Sequence, residues 1–579
     1  MAKQIHGVAM AVILAVWLAA CQNDPAPTPV PGAVDEDAPA RAEVREVVRF
    51  TASDGVPLHA IVRGAGDLRP RPLIVEFSPY GGVGVPDFGP DYNRVYVHAR
   101  GTGESSGQWS AVGPRDQQDV AEFLEWACAQ PWSDGRIGLY GFSASAIAIY
   151  NALHLPLPCV EAAALMAGTS DLYRDLLYPG GIPNAVPALA VGLGVTGPAL
   201  ESLPARFDDP ATLGDPVIAT LGVLGIAVNL LTQPTLDDYW QARTQRPGPN
   251  RFPVLANTGF YDVESRGPFE SYRMLREQGV PVHLRLFGAH DGFPAGTPGP
   301  FVEYRRWFDR FLLDRDTGID REPRVQMLIG LGGYAAQIGG AVEHLGADDW
   351  PVPGTRWQTL YLDDEARLSP APVMPQVQQH YLAVTSGLGT DPYTTATVSA
   401  LGSLASWTSL LLTAGAQSLQ YTTPPLTQDV DVVGPASLVL HLSSALPEAD
   451  IHAVLSDVWP DGSAHPVGAG RLRSSFPAIV PERTRYDVHG EPVQPYPDFS
   501  AKTRARPGQM REYAVEFWPI GNRFQAGHRL RVSLVSAPTY NLPMPGVLNT
   551  LSLGGDTPSR LLLPVLPGSD LCAAIGASC

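Results

Sequence analysis

Ser143, Asp262 and His290 follow one another along this chain in the order that acyl transfer by a serine hydroxyl requires. Ser143 lies in Ile137-Gly138-Leu139-Tyr140-Gly141-Phe142-Ser143-Ala144-Ser145-Ala146. That stretch predicts a short apolar strand, a tight turn and the start of a small-residue helix. Such a turn lifts the hydroxyl off the strand end and aims the free N–H groups of the helix at the place where an oxyanion forms. The usual pattern is Gly-x-Ser-x-Gly, and here Ser145 stands where the second glycine would be. Taken alone, the window reads equally well as a turn with a bystander serine.

The partners decide between the two. A hydroxyl nucleophile needs a base, and the base needs a carboxylate to hold its tautomer. In α/β-hydrolases they come in the order Ser, Asp or Glu, His, each just after a strand of one sheet. Val282–Phe287 is a predicted strand, and Gly288-Ala289-His290-Asp291-Gly292 is the loop after it. His59 and His98 precede the serine, His154 follows it too closely, and His283 lies within the strand. His344 and later histidines belong to a β-rich region. The strand Pro253–Thr258 runs into Gly259-Phe260-Tyr261-Asp262, which places Asp262 at the sheet edge where ligands bind. Glu264 and Asp291 are second choices for the carboxylate. For the oxyanion, one donor is the N–H of Ala144. The other comes from Ser78-Pro79-Tyr80-Gly81-Gly82, as a glycine N–H or the Tyr80 hydroxyl. Chemistry alone does not choose between them.

The elements around these residues predict the fold. Val44–Phe50, Val56–Val62, Pro72–Phe77, Asn93–His98 and Arg136–Tyr140 read as strands. Asp116–Ala129 has helical apolar spacing through Val120, Phe123, Leu124 and Ala127. Strands alternating with helices predict an α/β domain over 44–170 and 251–321. Residues 171–250 interrupt it with helical, apolar sequence that predicts an inserted cap. From 322 to 579 the texture is short strands between Gly, Pro and Asp turns, including Trp357–Leu362, Val430–Val433, Ser437–Leu442, Ala453–Asp457, Ala514–Phe517 and Leu530–Leu534. Alternation in such strands predicts an antiparallel β-sandwich.

At 579 residues, with 45% hydrophobic and 17% charged residues, the chain is a multidomain globular protein. A net charge of −18 without a basic stripe excludes nucleic acid as a partner. No metal-ligand spacing is present, and no cofactor is expected. Residues 1–20 read as a signal peptide: Lys3, the apolar run Val8–Ala20, then Leu18-Ala19-Ala20-Cys21, which resembles a bacterial lipobox. Cys21 is then the lipidated residue and 21–43 a tether. Gln22 favours the outer membrane or its periplasmic face over inner-membrane retention, and plain secretion is the alternative. The remaining Cys128, Cys159, Cys572 and Cys579 make an even number in an oxidising compartment, with Cys128–Cys159 and Cys572–Cys579 as expected disulfides.

The chain resembles the cocaine-esterase-like (CocE/NonD) hydrolases, which are related to X-prolyl dipeptidyl-peptidases. The resemblance runs from Val44 to Leu563. It is carried by Ser78-Pro79-Tyr80, Arg100-Gly101-Thr102-Gly103-Glu104-Ser105, Trp132-Ser133-Asp134-Gly135, Gly141-Phe142-Ser143, Gly259-Phe260-Tyr261-Asp262, Asp429–Gly434, Phe517-Trp518-Pro519 and Gly527-His528-Arg529-Leu530. It implies an α/β-hydrolase with a helical cap and a C-terminal jelly roll. It also implies a triad of Ser143, Asp262 and His290, with Tyr80 joining Ala144 in the oxyanion hole. Ala144 and Ala146 stand where that family usually has Tyr and Gly, and its Gly-Pro-x-x-His loop is here Phe287-Gly288-Ala289-His290. The expected activity is hydrolysis of a small carboxylic ester, or of a peptide, bearing a hydrophobic group. An X-Pro dipeptidyl-peptidase or other amide hydrolase is the alternative. It needs carboxylates near the cap to pair an ammonium, for which Asp171, Asp175, Asp208, Asp209, Asp237 and Asp238 are available. A non-catalytic surface-binding lipoprotein is the third reading, against which the intact Ser, Asp, His order argues.

Overall fold

The computed structural model describes residues 42–81, 84–184, 232–383, 419–535 and 546–577. The expected leader and tether with Cys21, the apolar runs of the cap, Asp208, Asp209, Gly82 and Cys579 lie outside the described residues. Strands of the first half come in the order β1 (Glu43–Thr51), β2 (Pro57–Ala65), β3 (Arg71–Ser78), β4 (Asn93–His98), β5 (Ser133–Phe142), β6 (Val160–Met166), β7 (Val254–Thr258), β8 (Val282–Leu286), β9 (Val325–Gly330) and β10 (Val342–Ala347). Side by side they run β1-β2-β4-β3-β5-β6-β7-β8-β9-β10. The central members are parallel, and the two ends are antiparallel. Parallel strands need long crossovers, and the helices supply them.

Alternate strand residues face opposite layers. Leu73, Val75 and Phe77 of β3 pack with Val120, Phe123 and Leu124 of α1 (Pro114–Cys128) and Ile149 and Tyr150 of α2 (Ala144–Ala152). Phe269, Tyr272 and Leu275 of α3 (Arg266–Glu277) extend that layer. Ile74 of the same strand packs on the other side with Tyr304, Trp307 and Phe308 of α4 (Pro300–Leu312). Being covered on both faces, β3 is buried at every position. A disulfide joins Cys128, at the end of α1, to Cys159, just before β6, with 6.3 Å between their Cα atoms. Cys572 is also disulfide-bonded, to a partner outside the described residues.

The β texture expected from 322 onward begins inside the first sheet. Strand β9 lies parallel on β8, and β10 closes its edge. Beyond it, an all-β sandwich forms around the long strands Val430–Ser444 and Arg511–Phe524, which pair antiparallel. Val430–Val433 and Ser437–Leu442, expected as two strands, are one, interrupted by a register shift between Gly434 and Ala436. The alternation expected there is only partly expressed. Leu438, Leu440 and Leu442 enter the sandwich core, but Val439 is buried too, under Val493 and Trp357.

The described base of the inserted segment packs against the sandwich. Leu172, Tyr173, Leu176, Leu177, Tyr178 and Trp240 share one core with Leu438, Phe499 and Phe517. Arg174 stacks on Tyr496, 3.8 Å from the ring centre, and donates to the Pro497 carbonyl at 2.7 Å. The insertion leaves from the end of β6 and returns before β7.

Candidate active site

Ser143 sits between β5 and α2 with φ 56° and ψ −124°. A non-glycine residue there is strained, and such strain concentrates at functional turns. The turn around it is tight. A Cβ on Gly141 would lie 2.6 Å from the Ala146 nitrogen, so only glycine fits. The place of the second glycine is filled by Ser145, which is fully buried. Its Oγ accepts the Phe142 N–H at 2.7 Å and lies 2.8 Å from Glu76 Oε1, to which it donates. The hydroxyl thus binds the turn to β3. Ala146 is accommodated from the other side, where a Cβ on Gly168 would come within 2.8 Å of the Ala146 Cβ. The close approach is made to a glycine, Gly168, just past the neighbouring strand end.

Asp262 follows β7 and is completely buried. Its Oδ2 lies 3.2 Å from His290 Nδ1 and accepts the His290 N–H at 2.7 Å. One carboxylate oxygen therefore fixes both the ring and the backbone of the histidine. Ring and elbow are neighbours, because Phe142, immediately before Ser143, places its ring 4.7 Å from that of His290. The other candidate carboxylates are turned to different partners. Asp291 accepts the N–H groups of Ala289 (2.8 Å) and Tyr261 (3.1 Å), clamping the histidine loop to the aspartate loop. Glu264 donates its own N–H to Asp262 Oδ1 at 2.7 Å, and its carboxyl is buried.

Burial pulls the His290 imidazole down, but Asp262 beside it outweighs this and raises it to about 9. Burial pushes the Glu264 carboxyl up to about 8, and burial with Asp262 close by also raises Asp291. The aspartate facing the imidazole thus lies beside a buried carboxyl, Glu264, that is largely protonated at neutral pH.

The Tyr80 hydroxyl is 3.3 Å from Ser143 Oγ. A donor at that distance can reach an oxygen on a carbon bonded to Oγ. Ala144, the first residue of α2, has an N–H with no acceptor inside its own helix. A cavity lined by Phe77, Pro79, Trp109, Asp116, Ala144 and Ala148 lies beside it.

Several residues escaped the sequence reading. Glu76 reads as an interior strand residue, and nothing local marks it as the partner of Ser145. In the segment Arg100–Ser105, Arg100 donates to both oxygens of Asp119, each at 2.7 Å, so it builds the turn after β4 and not the reacting centre. Of the carboxylates near the cap, Asp175 is taken up by Arg266 (2.7 Å) and the Thr169 hydroxyl (2.6 Å). Asp171 and Asp237 cap the first turns of helical segments.

Known proteins match the chain over both of its parts. Residues 54–290 match the profile of the X-Pro dipeptidyl-peptidase (S15 family), and 317–557 match that of the X-Pro dipeptidyl-peptidase C-terminal non-catalytic domain. Cocaine esterase of Rhodococcus sp. (strain MB1 Bresler) is 24% identical over 541 residues, which is 82% of this chain and 88% of that protein. A CocE/NonD family hydrolase from Staphylococcus aureus superposes with a TM-score of 0.71 at 19% identity, covering 90% of this chain and 94% of its own. An aminopeptidase from a marine sediment Thaumarchaeota archaeon gives 0.70 at 18% identity, covering 94% and 100%. With the first profile ending on His290 and the second spanning the sandwich, the chain belongs to the CocE/NonD serine hydrolases, relatives of the X-prolyl dipeptidyl-peptidases.

Proposed function

We propose that the chain cleaves carboxylic esters through an acyl-enzyme, with Ser143 as nucleophile, His290 as base and Asp262 as its orienting carboxylate. Ser143 Oγ forms a bond to the ester carbonyl carbon while its proton passes to His290 Nε2. The carbonyl π pair moves onto oxygen, where the Ala144 N–H and the Tyr80 O–H hold it. The pair then returns, the bond to the alcohol oxygen breaks, and His290 gives the alcohol its proton. Water repeats the cycle and frees the acid. The observation that carries this reading is Asp262 Oδ2 shared between the ring and the backbone N–H of His290, at 3.2 and 2.7 Å, beside a strained serine.

Esters are favoured over peptides with a free amino terminus because the described carboxylates are ill suited to an ammonium. Asp175 is already paired with Arg266, and Glu264, raised to about 8, is largely neutral at pH 7. We further propose export and lipidation at Cys21. The Cys128–Cys159 disulfide supports an oxidising compartment. The test is steady-state kinetics on p-nitrophenyl esters beside X-Pro-anilides, for wild type and Ser143→Ala. Ester turnover lost in the variant is expected. Preferential turnover of the anilides would replace the ester reading by the peptidase one, and activity surviving in Ser143→Ala would remove the nucleophile.

A further inference from the structure

The segment between β9 and β10 touches both the sandwich and the loop that carries His290. Gly332 and Gly333 are pressed against the sandwich, where added Cβ atoms would come 3.1 Å from Trp459 and 2.9 Å from His465. Both of their N–H groups donate to Asn522 Oδ1, at 3.3 and 2.9 Å. The Trp459 indole donates to the Gly332 carbonyl at 3.2 Å. Asn522 Nδ2 donates to Asp457 Oδ2 at 3.2 Å, and Asp457 Oδ1 lies 2.7 Å from His528 Nδ1. Asn522 and Asp457 are completely buried.

From Gly333 the chain enters the short helix α5 (Tyr334–Ile338), whose first residue reaches the other way. The Tyr334 hydroxyl donates to the carbonyl of Asp291, directly after His290, at 2.9 Å. The Tyr334 ring packs edge-on against Tyr261, directly before Asp262, at 5.1 Å. The Ile338 carbonyl accepts the Ala295 N–H at 3.0 Å. Helix α5 is thus hydrogen-bonded at its start to the sandwich and along its length to the histidine loop.

We infer that the C-terminal β-domain positions His290, with Asn522 and Tyr334 as positioning residues acting through α5. The inference rests on His290 being the base. Cohesion alone does not call for such a device, since buried polar networks are often matched in stability by apolar packing. What a fully bonded network supplies is one fixed geometry. The histidine loop needs that, because a base displaced by about 1 Å costs up to about 10²-fold in rate. The domain that its family profile describes as non-catalytic then bears on the rate without touching substrate.

Tyr334→Phe keeps the ring and removes the hydroxyl that donates to Asp291. Its kcat on an activated ester is expected to fall about tenfold, with KM within about twofold. Asn522→Ala is expected to lower kcat in the same way. The double variant should be no worse than the more damaged single one, because both break one path. Tyr421→Phe is the control: it removes a comparable hydroxyl bond, 2.6 Å to Gln379, elsewhere in the sandwich, and should leave kcat unchanged. Tyr334→Phe at wild-type kcat would overturn the inference, as would an equal loss in Tyr421→Phe. His290→Ala belongs in the same series. If it remains active, the reading of the base fails. If it is dead while Tyr334→Phe is unaffected, only the positioning role fails.

Discussion

Tyr80 offers a sharp single-residue test, because its hydroxyl lies 3.3 Å from Ser143 Oγ. The carbonyl of the bound ester is a weaker acceptor than the oxyanion, so removing the hydroxyl is felt in the transition state. Tyr80→Phe should lower kcat by about 10²–10³ with KM little changed, read by steady-state kinetics. A loss below about tenfold would give the second donor's place to a glycine N–H of the same loop. As the proposed base, His290 sets the expected pH dependence. A base works only when deprotonated, and Asp262 raises this one to about 9. A plot of kcat/KM against pH is therefore expected to climb through neutrality and level off near that value. Ser145→Ala should fold less stably by about 1–3 kcal/mol, measured in urea, because it leaves the Phe142 N–H and buried Glu76 without that hydroxyl. The strand-end positions of Ser143, Asp262 and His290 are legible in the sequence because each follows a strand with a recognisable apolar run. Glu76 and Asn522 were not, because their partners, 69 residues away in Ser145 and 189 and 190 residues away in Gly333 and Gly332, meet only in the fold.

At the level of elements, the strands that sequence revealed most clearly were bounded by turns and rich in branched residues. Asn93–His98 was read with its observed limits. Strand β6 went unread. Its Glu161-Ala162-Ala163-Ala164-Leu165-Met166 is composed of good helix formers. Burial between β5 and β7 overrides that propensity, and alanines let the layers close in on both faces. Strand β9 was assigned to the β region because a short buried strand carries no mark of the sheet it joins. The Cys128–Cys159 disulfide ties α1 to β6 across 31 residues. Loop-closure entropy predicts that its reduction costs about 3–4 kcal/mol, which denaturant titration with and without reductant would measure. An unchanged midpoint would mean that the helix is held in place by packing alone.

For the whole molecule, the buried acids predict opposite trends of activity and stability above neutrality. Asp116, Glu264 and His290 are raised to about 7, 8 and 9. For each, the folded state binds the proton more tightly than the unfolded chain. Their contribution is full below the unfolded value and is lost as pH rises through the folded one. Carboxyls held low, such as Glu122 at about 2, are ionised in both states over this range and add no slope. The thermal midpoint should therefore fall between about pH 7 and 9 while kcat/KM rises. A midpoint that rises over that window would show that these groups are not buried with their protons. The proposed anchor is tested at the same scale. Cys21→Ser should release active protein from membranes into the soluble fraction, and persistence on membranes would remove the lipid from the account.

The central claim is that Ser143 is a nucleophile activated by His290 and Asp262. Peptide mass mapping after reaction with a fluorophosphonate tests it most directly, because such a probe bonds only to an activated hydroxyl. The adduct is expected on Ser143 in the wild type, and is expected to vanish in His290→Ala and to form slowly in Asp262→Asn. An adduct on Ser145, or labelling of Ser143 that is as fast in His290→Ala as in the wild type, would contradict it.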